Sequence, residues 1–457
     1  YAVPDEQKRY NFDITSTESK FVYDDRPLEP IDIRAKGIAD SLGAEISEFT
    51  LKTPIGESTL NGTLTDWERL QYNFKISSTV DLTQTSNIFP LGTPLRGVGN
   101  FNGTVSGEGE TYKVDGEITS EALSAANVYL KALNVAATVN GTNSMYEANG
   151  KAIAELLTFE DFRIDFPQIS GNVRGSGTDF KWLGELQAVA LKSDSLSLGG
   201  LFISDAVAEY KERTGELTAT AGNGRARSFI IDGDTEFQNL QTNNLRLSNK
   251  DEITNLSAPN VLADSFKTED FNLKGINGRN VRITDRPQDT QVSADNLTAQ
   301  NAETEDARLR NLAASDFRLN TENGTTEITA KNLRAEELNA DGAIVSGLDA
   351  NGINLRDTPN ETVIFSNNVK VAKVATDAAI LGSLNIAGVR LTVRQGTIEG
   401  RSGDIDAGNI ALTKSADLPD GGTLEKVKIF KPVFTVEPSG RYRATADMSL
   451  GGGVLGS

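Results

Sequence analysis

The chain has 457 residues, of which 38% are hydrophobic, 24% charged and 7% aromatic, with 42 Gly and 13 Pro. It contains neither His nor Cys, which removes His-dependent triads, thiol nucleophiles, disulfide frames and the usual zinc ligand sets. A net charge of −19 argues against nucleic acid as a partner, since phosphate binding needs clustered Lys and Arg, and the dispersed carboxylates read as a solvated coat that limits edge-to-edge association.

Residues 1–100 form an N-terminal β-strand region. Apolar residues alternate in Tyr10, Phe12 and Ile14, in Phe21 and Tyr23, and in Tyr72, Phe74 and Ile76, between turn signals such as Asp24, Asp25 and Pro27. No helical period is visible there. The chain opens at Tyr1 and has no run of 18 apolar residues, so it is expected to be a piece of a longer protein, with neither a span nor a signal peptide of its own.

Residues 101–224 read as diverged β-repeats. Tyr112, Val114, Gly116 and Ile118 return 34 residues on as Tyr146, Ala148, Gly150 and Ala152, and a third version begins at Trp182. Leu130 and Leu133 fall in the same repeats.

Residues 225–393 carry a regular repeat of 36 residues. Leu240, Ile276, Leu312, Leu348 and Leu384 mark one phase, and Leu245, Val281, Phe317, Ile353 and Val389 another. Inside each copy runs a beat of five, as in Leu297, Ala302, Ala307, Leu312 and Phe317, with a second, usually small or apolar residue two positions after each. Positions two apart share a face of a strand, but a straight strand never settles into a period of five. A step of two followed by a step of three requires a corner in the backbone. A helix is excluded, because five residues at about 100° each smear the apolar set around its axis. Fixed periods of this size mark arrays whose units bury their apolar face only against neighbours. Pro287, Asn323 with Gly324, and Pro359 with Asn360 supply turn signals at matching places.

Residues 394–457 are C-terminal β-strands continuing into a truncated repeat, in which RYRATADMSL restates the earlier TYKVDGEITS. The fold expected is therefore all-β: an elongated repeat protein, a curled β-sheet or β-groove merging into a β-solenoid-like coil.

The runs Ser58–Leu82 (STLNGTLTDWERLQYNFKISSTVDL) and Ser86–Ser120, and the closing RYRATADMSLGGGVLGS, resemble the AsmA-like and TamB-like periplasmic proteins of the translocation and assembly module family. The resemblance implies a long curled sheet with an apolar inner groove. It further implies an inner-membrane anchor outside this segment, a place on the periplasmic side of a Gram-negative-type envelope, phospholipid acyl chains as ligand and an outer-membrane β-barrel as partner. The five-residue beat of 225–393 departs from that family and is closer to pentapeptide-repeat coils, with the order of large and small residues mostly reversed.

Chemistry is confined to carboxylates. Asp232, Asp234 and Glu236 alternate but lack the rest of a calcium loop. Asp24 with Asp25, and Glu336 with Glu337, are adjacent in sequence, which on a regular strand sends them to opposite faces. The Gly-rich phrases at Gly107 and Gly175 have no following helix and fail as phosphate loops. The Asn-Gly-Thr sites at Asn61, Asn102, Asn140 and Asn323 read as hairpin turns. No catalytic residue, metal ligand or cofactor is expected, and the chain is read as no enzyme; a carboxylate-only glycosidase is the remaining catalytic possibility.

The function expected is a periplasmic scaffold moving phospholipid, or assisting outer-membrane protein assembly, with acyl chains against an inner face that includes Tyr112, Val114, Ile118, Leu130, Leu133, Leu240, Ile276, Leu312, Leu348 and Leu384. The alternative is a structural or adhesive β-solenoid stalk without a ligand.

Overall fold

A computed structural model describes residues 2–4, 9–23, 26–88, 95–159, 162–194, 196–231, 235–250, 253–268, 271–305, 307–340, 342–414, 420–439 and 441–455, with backbone alone for 2–4, 21–23, 26–29, 87–88, 231 and 455. The turn signals Asp24 and Asp25 and the calcium candidates Asp232 and Asp234 lie outside the described residues. The chain divides into two compact units, Tyr1–Gly224 and Arg225–Ser457, and both are all-β.

The first unit is a meander in which each long strand pairs antiparallel with the next. From Gly56–Asp66 it proceeds through Gln71–Asp81, Leu95–Glu108, Thr111–Ala125 and Val128–Thr142. Met145–Ile153 and Leu156–Phe159 are two halves of one broken strand, since both pair with Val128–Thr142. Phe162–Asp165 and Gln168–Ser176 likewise share Asp179–Lys192 as their partner. The absence of a helical period in residues 1–100 misses one short helix, Leu82–Ile88. Asp81 caps it, its Oδ1 accepting from the backbone N–H groups of Thr83 at 2.9 Å and Gln84 at 3.1 Å. A helix of 7 residues is too short to display a period.

The second unit repeats one hairpin. Thr235–Lys250, Ile253–Lys267, Asn272–Asp285, Asp289–Glu303, Ala307–Glu322, Thr325–Ala340 and Ala343–Asp357 follow one another antiparallel. Each 36-residue copy is thus two antiparallel strands with their turns. Pro287 and Asn323–Gly324 lie in the connections between these strands, and Pro359–Asn360 in the connection to the next strand, Thr362–Val371.

The corner demanded by the step of two and three is a repeated break in the ladder. Between Asn272–Asp285 and Asp289–Glu303, pairing omits 275–276 opposite 299–300 and 280–281 opposite 294–295. Every second strand carries left-handed residues at these levels: Asn239 and Asn244, then Gly275 and Asn280, Asn311 and Asp316, Gly347 and Gly352. Such breaks bend a strand and increase its local twist, so each unit is a curled sheet. The first unit shows the same device more sparsely, with left-handed Ala132, Phe166 and Gly200 recurring every 34 residues.

The Asn-Gly-Thr reading as hairpin turns holds in geometry only for Asn323–Gly324, where both residues have positive φ (48° and 73°). Gly62, Gly103 and Gly141 lie inside strands. They serve a cross-strand purpose instead: a Cβ on Gly141 would come within 2.2 Å of the Tyr112 ring. A short polar-Gly-polar phrase cannot by itself separate a turn from a glycine covered by a neighbouring aromatic.

Candidate functional site

Residues directly opposed on antiparallel strands share a face, so the register defines which side chains lie together. In the first unit one row runs through Phe74, Val105, Val114, Val139, Ala148, Val173, Trp182 and Ala208. Two residues to one side lies an alternating aromatic and glycine row: Tyr72, Gly107, Tyr112, Gly141, Tyr146, Gly175 and Phe180. On the other side, beyond a row rich in glycine, come Phe101, Ile118, Val135, Ala152, Ile169, Leu186 and Ile203. Farther along the strands Leu123, Leu130, Leu157, Ile164, Leu191 and Leu198 form another row. Left-handed Ala132 separates Leu130 from Leu133, which keeps both on this face despite their odd spacing. Tyr112, Val114, Ile118, Leu130 and Leu133 therefore share one apolar face, where Ile118 is 43% exposed.

The second unit builds its apolar face from the same rule. One row passes through Leu247, Leu256, Ile283, Val292, Leu319, Ile328, Leu355, Ile364 and Leu391. Another passes through Phe237, Phe266, Leu273, Ala302, Leu309, Leu338, Val345, Val374 and Leu381. Leu240, Ile276, Leu312 and Leu348 each follow a left-handed residue directly. The last three oppose a buried alanine: Ile276 faces Ala263, Leu312 faces Ala299 and Leu348 faces Ala335, while Leu384 faces Val371 and Ala407. The second marked series does the same, with Val281 on Ala258, Phe317 on Ala294 and Ile353 on Ala330. The large and small positions of the beat are thus cross-strand partners, which a pattern along one strand does not reveal.

The opposite faces are polar and carry ion pairs and amide hydrogen bonds. Glu147 accepts hydrogen bonds from Asn172 Nδ2 at 2.9 Å and Arg174 Nη2 at 2.9 Å. These contacts, that of Asn172 foremost, hold its carboxyl below the ordinary carboxylate range. Lys131 donates to Glu155 at 2.6 Å, and that hydrogen bond and charge raise the ammonium pKa. Left-handed Asn239 and Asn280 donate to Asp264 and Asp295 at 2.7 and 2.6 Å, and Asn311 donates to Glu336.

The expectation that adjacent Glu336 and Glu337 point to opposite faces fails at this ladder break. Both turn to the polar side, Glu336 to Asn311 and Glu337 to Arg310 at 3.8 Å. Among the described residues no group of His, Cys, Asp or Glu is placed to hold a metal ion. A concavity of about 590 Å³ in the second unit brings Lys370, Lys426 and Lys428 near Asp349 and Asp406, and Lys428 is ion-paired to Asp406 at 3.1 Å. Among the described residues no helix is long and apolar enough to cross a membrane.

Compared with known families and curated proteins, the chain matches no family model and no curated sequence.

Proposed function

We propose that this chain is part of a periplasmic scaffold of the AsmA-like and TamB-like type, moving phospholipid between membranes or assisting outer-membrane protein assembly by holding acyl chains against an apolar sheet face. The observation that supports this reading is the set of unbroken apolar rows in the first unit, running from Phe74 to Ala208 beside the partly exposed Ile118 and Ile169. Rows at right angles to the strands offer equivalent sites at each successive strand. Each methylene withdrawn from water there is worth about 0.8 kcal/mol, so a chain can slide between neighbouring sites without crossing water bare.

Mass spectrometry of organic extracts from the purified protein tests this, with phospholipid at near-stoichiometric amounts as the expected result. Val114→Asp places an unpaired carboxylate in the centre of the valine row and should abolish that recovery while far-UV circular dichroism stays unchanged. Extracts free of lipid from the native protein would sink the reading.

One observation favours a ligand-free stalk for the second unit. Its apolar rows interleave large side chains with alanines that are almost wholly covered, such as Ala302 at 1% and Ala335 at 3% exposure. On that reading lipid is absent from the extracts and the face is filled by its own side chains.

A further inference from the structure

The polar face of the second unit carries an ordered row of basic residues. Arg246, Arg282, Arg318 and Arg390 occupy equivalent places on alternate strands, and Arg401 lies directly opposite Arg390. The strands between them put Ser257, Ser293 and Thr329 into the same row, and Asn354 takes the remaining repeat position. All five arginines are exposed, whereas the hydroxyl residues are half-buried. None of the five is ion-paired among the described residues.

The lack of pairing is informative in a chain of net charge −19. Two carboxylates at adjoining levels are engaged elsewhere, Asp295 accepting from Asn280 at 2.6 Å and Glu327 from Asn354 at 2.8 Å, and Glu399, two residues before Arg401, forms no ion pair with Arg390 or Arg401 among the described residues. Arginines 390 and 401, as directly opposed like charges, disfavour the empty sheet. An anion lying between them would remove that cost. Net charge is a sum over the whole chain, and it conceals a local row of one sign.

The spacing selects the kind of anion. Arg246, Arg282 and Arg318 stand on alternate strands about 9.6 Å apart, twice the ~4.8 Å strand separation; Arg390 follows at double that interval, past Asn354, with Arg401 on the strand beside it. The shorter interval matches two pyranose rings and is sparser than the phosphates of a nucleic acid strand, about 3.4 Å apart along the axis. Base stacking would also need aromatic platforms, and Phe365 alone joins this row. A flat anionic membrane fits poorly, because strands rotate by roughly 20–25° each and the row winds by about half a turn over its length. A flexible linear polymer can follow it. The neighbouring row of amides, including Asn260, Asn332 and Asn351, suits the hydroxyls of sugar rings.

We propose that the polar face of the second unit binds a linear acidic polysaccharide carrying one carboxylate per disaccharide, along Arg246, Arg282, Arg318, Arg390 and Arg401. This site is independent of the apolar face. The test is a titration of the whole chain into fluorescein-labelled hyaluronan oligosaccharide, followed by anisotropy at several salt concentrations. Binding is expected to weaken steeply with salt and to fall at least tenfold in Arg282→Gln/Arg318→Gln/Arg390→Gln. Arg334→Gln, which removes an arginine on the same face already paired to Asp349 at 3.2 Å, should leave it unchanged. Neutral dextran should not bind. No binding of the native chain, equal loss in the Arg334 variant, or tighter binding to single-stranded DNA or phosphatidylglycerol vesicles would overturn the proposal.

Discussion

The left-handed residues show how a single backbone angle sets the pattern of a whole strand. At one level of the ladder break the repeats carry Asn239, Gly275, Asn311 and Gly347 in turn. Glycine and asparagine are the residues that tolerate this region, and the asparagines add a hydrogen bond to a carboxylate across the strand gap. Asn311→Gly should therefore change stability by only a few tenths of a kcal/mol, while Asn311→Val should cost about 1–2 kcal/mol from the strained backbone alone; urea melts of the two variants measure the difference. The break was legible in sequence as the two-then-three step, but its location was not. The 36-residue period already aligns Asn239, Gly275, Asn311 and Gly347 just before Leu240, Ile276, Leu312 and Leu348, but asparagine and glycine share no side-chain property that marks the place until their common left-handed backbone is seen. At Glu147, whose folded carboxyl pKa is lowered, the stabilisation is present at neutral pH and is lost as pH falls through the folded value. A carboxyl NMR titration should find its midpoint below the usual range, and Asn172→Ala should move it up further than Arg174→Gln does. Equal midpoints in all three proteins would deny the hydrogen bonds their role.

At the scale of a strand, the apolar beat specified which residues share a face but not which residues touch. Leu297, Ala302, Leu312 and Phe317 belong to one face, as the five-residue step implies, yet Leu312 spends its bulk against Ala299 and Phe317 against Ala294 on the preceding strand. Those contacts depend on hairpin register, which is set by turn length and is not encoded in the period. The same gap hid the aromatic and glycine row: Tyr146 and Gly175 are far apart in sequence and opposed in space. Large-on-small pairing makes a specific expectation. Ala335→Leu forces three extra carbons against Leu348 and should cost about 1–3 kcal/mol. The double variant Ala335→Leu/Leu348→Ala restores one large and one small side chain and should recover at least half of that loss. Additive costs in a double-mutant cycle would show that the two positions do not share space.

Across the second unit, the quantity that repeats is a pair of strands, and this sets what the architecture tolerates. The period of 36 residues was plain in sequence, but a period alone does not say whether a unit is a closed turn of coil or a hairpin. Hairpins separate the two possibilities through the direction of the chain. Removing residues 289–324 deletes two strands with their turns and leaves Asn272–Asp285 to meet Thr325–Ala340. Ile276 would then oppose Ala335 instead of Ala299, Val281 would oppose Ala330 instead of Ala294, and Gly278 would oppose Leu333 instead of Leu297. These three pairs keep one large and one small side chain, and the new pairs Leu273–Leu338 and Ile283–Ile328 repeat the kind already present as Leu309–Leu338 and Leu319–Ile328, so the shortened protein should retain its strand content and melt within a few degrees of the parent, as expected where stability is a sum of neighbour terms. Removing residues 307–324 alone takes out one strand and places Asp289–Glu303 beside Thr325–Ala340. Both belong to the class without left-handed residues, and their alanines would meet alanines. That protein should lose cooperative unfolding and become protease-sensitive around the junction. Equal tolerance of the two deletions, by circular dichroism and limited proteolysis, would mean that the single strand rather than the hairpin is the unit that stacks.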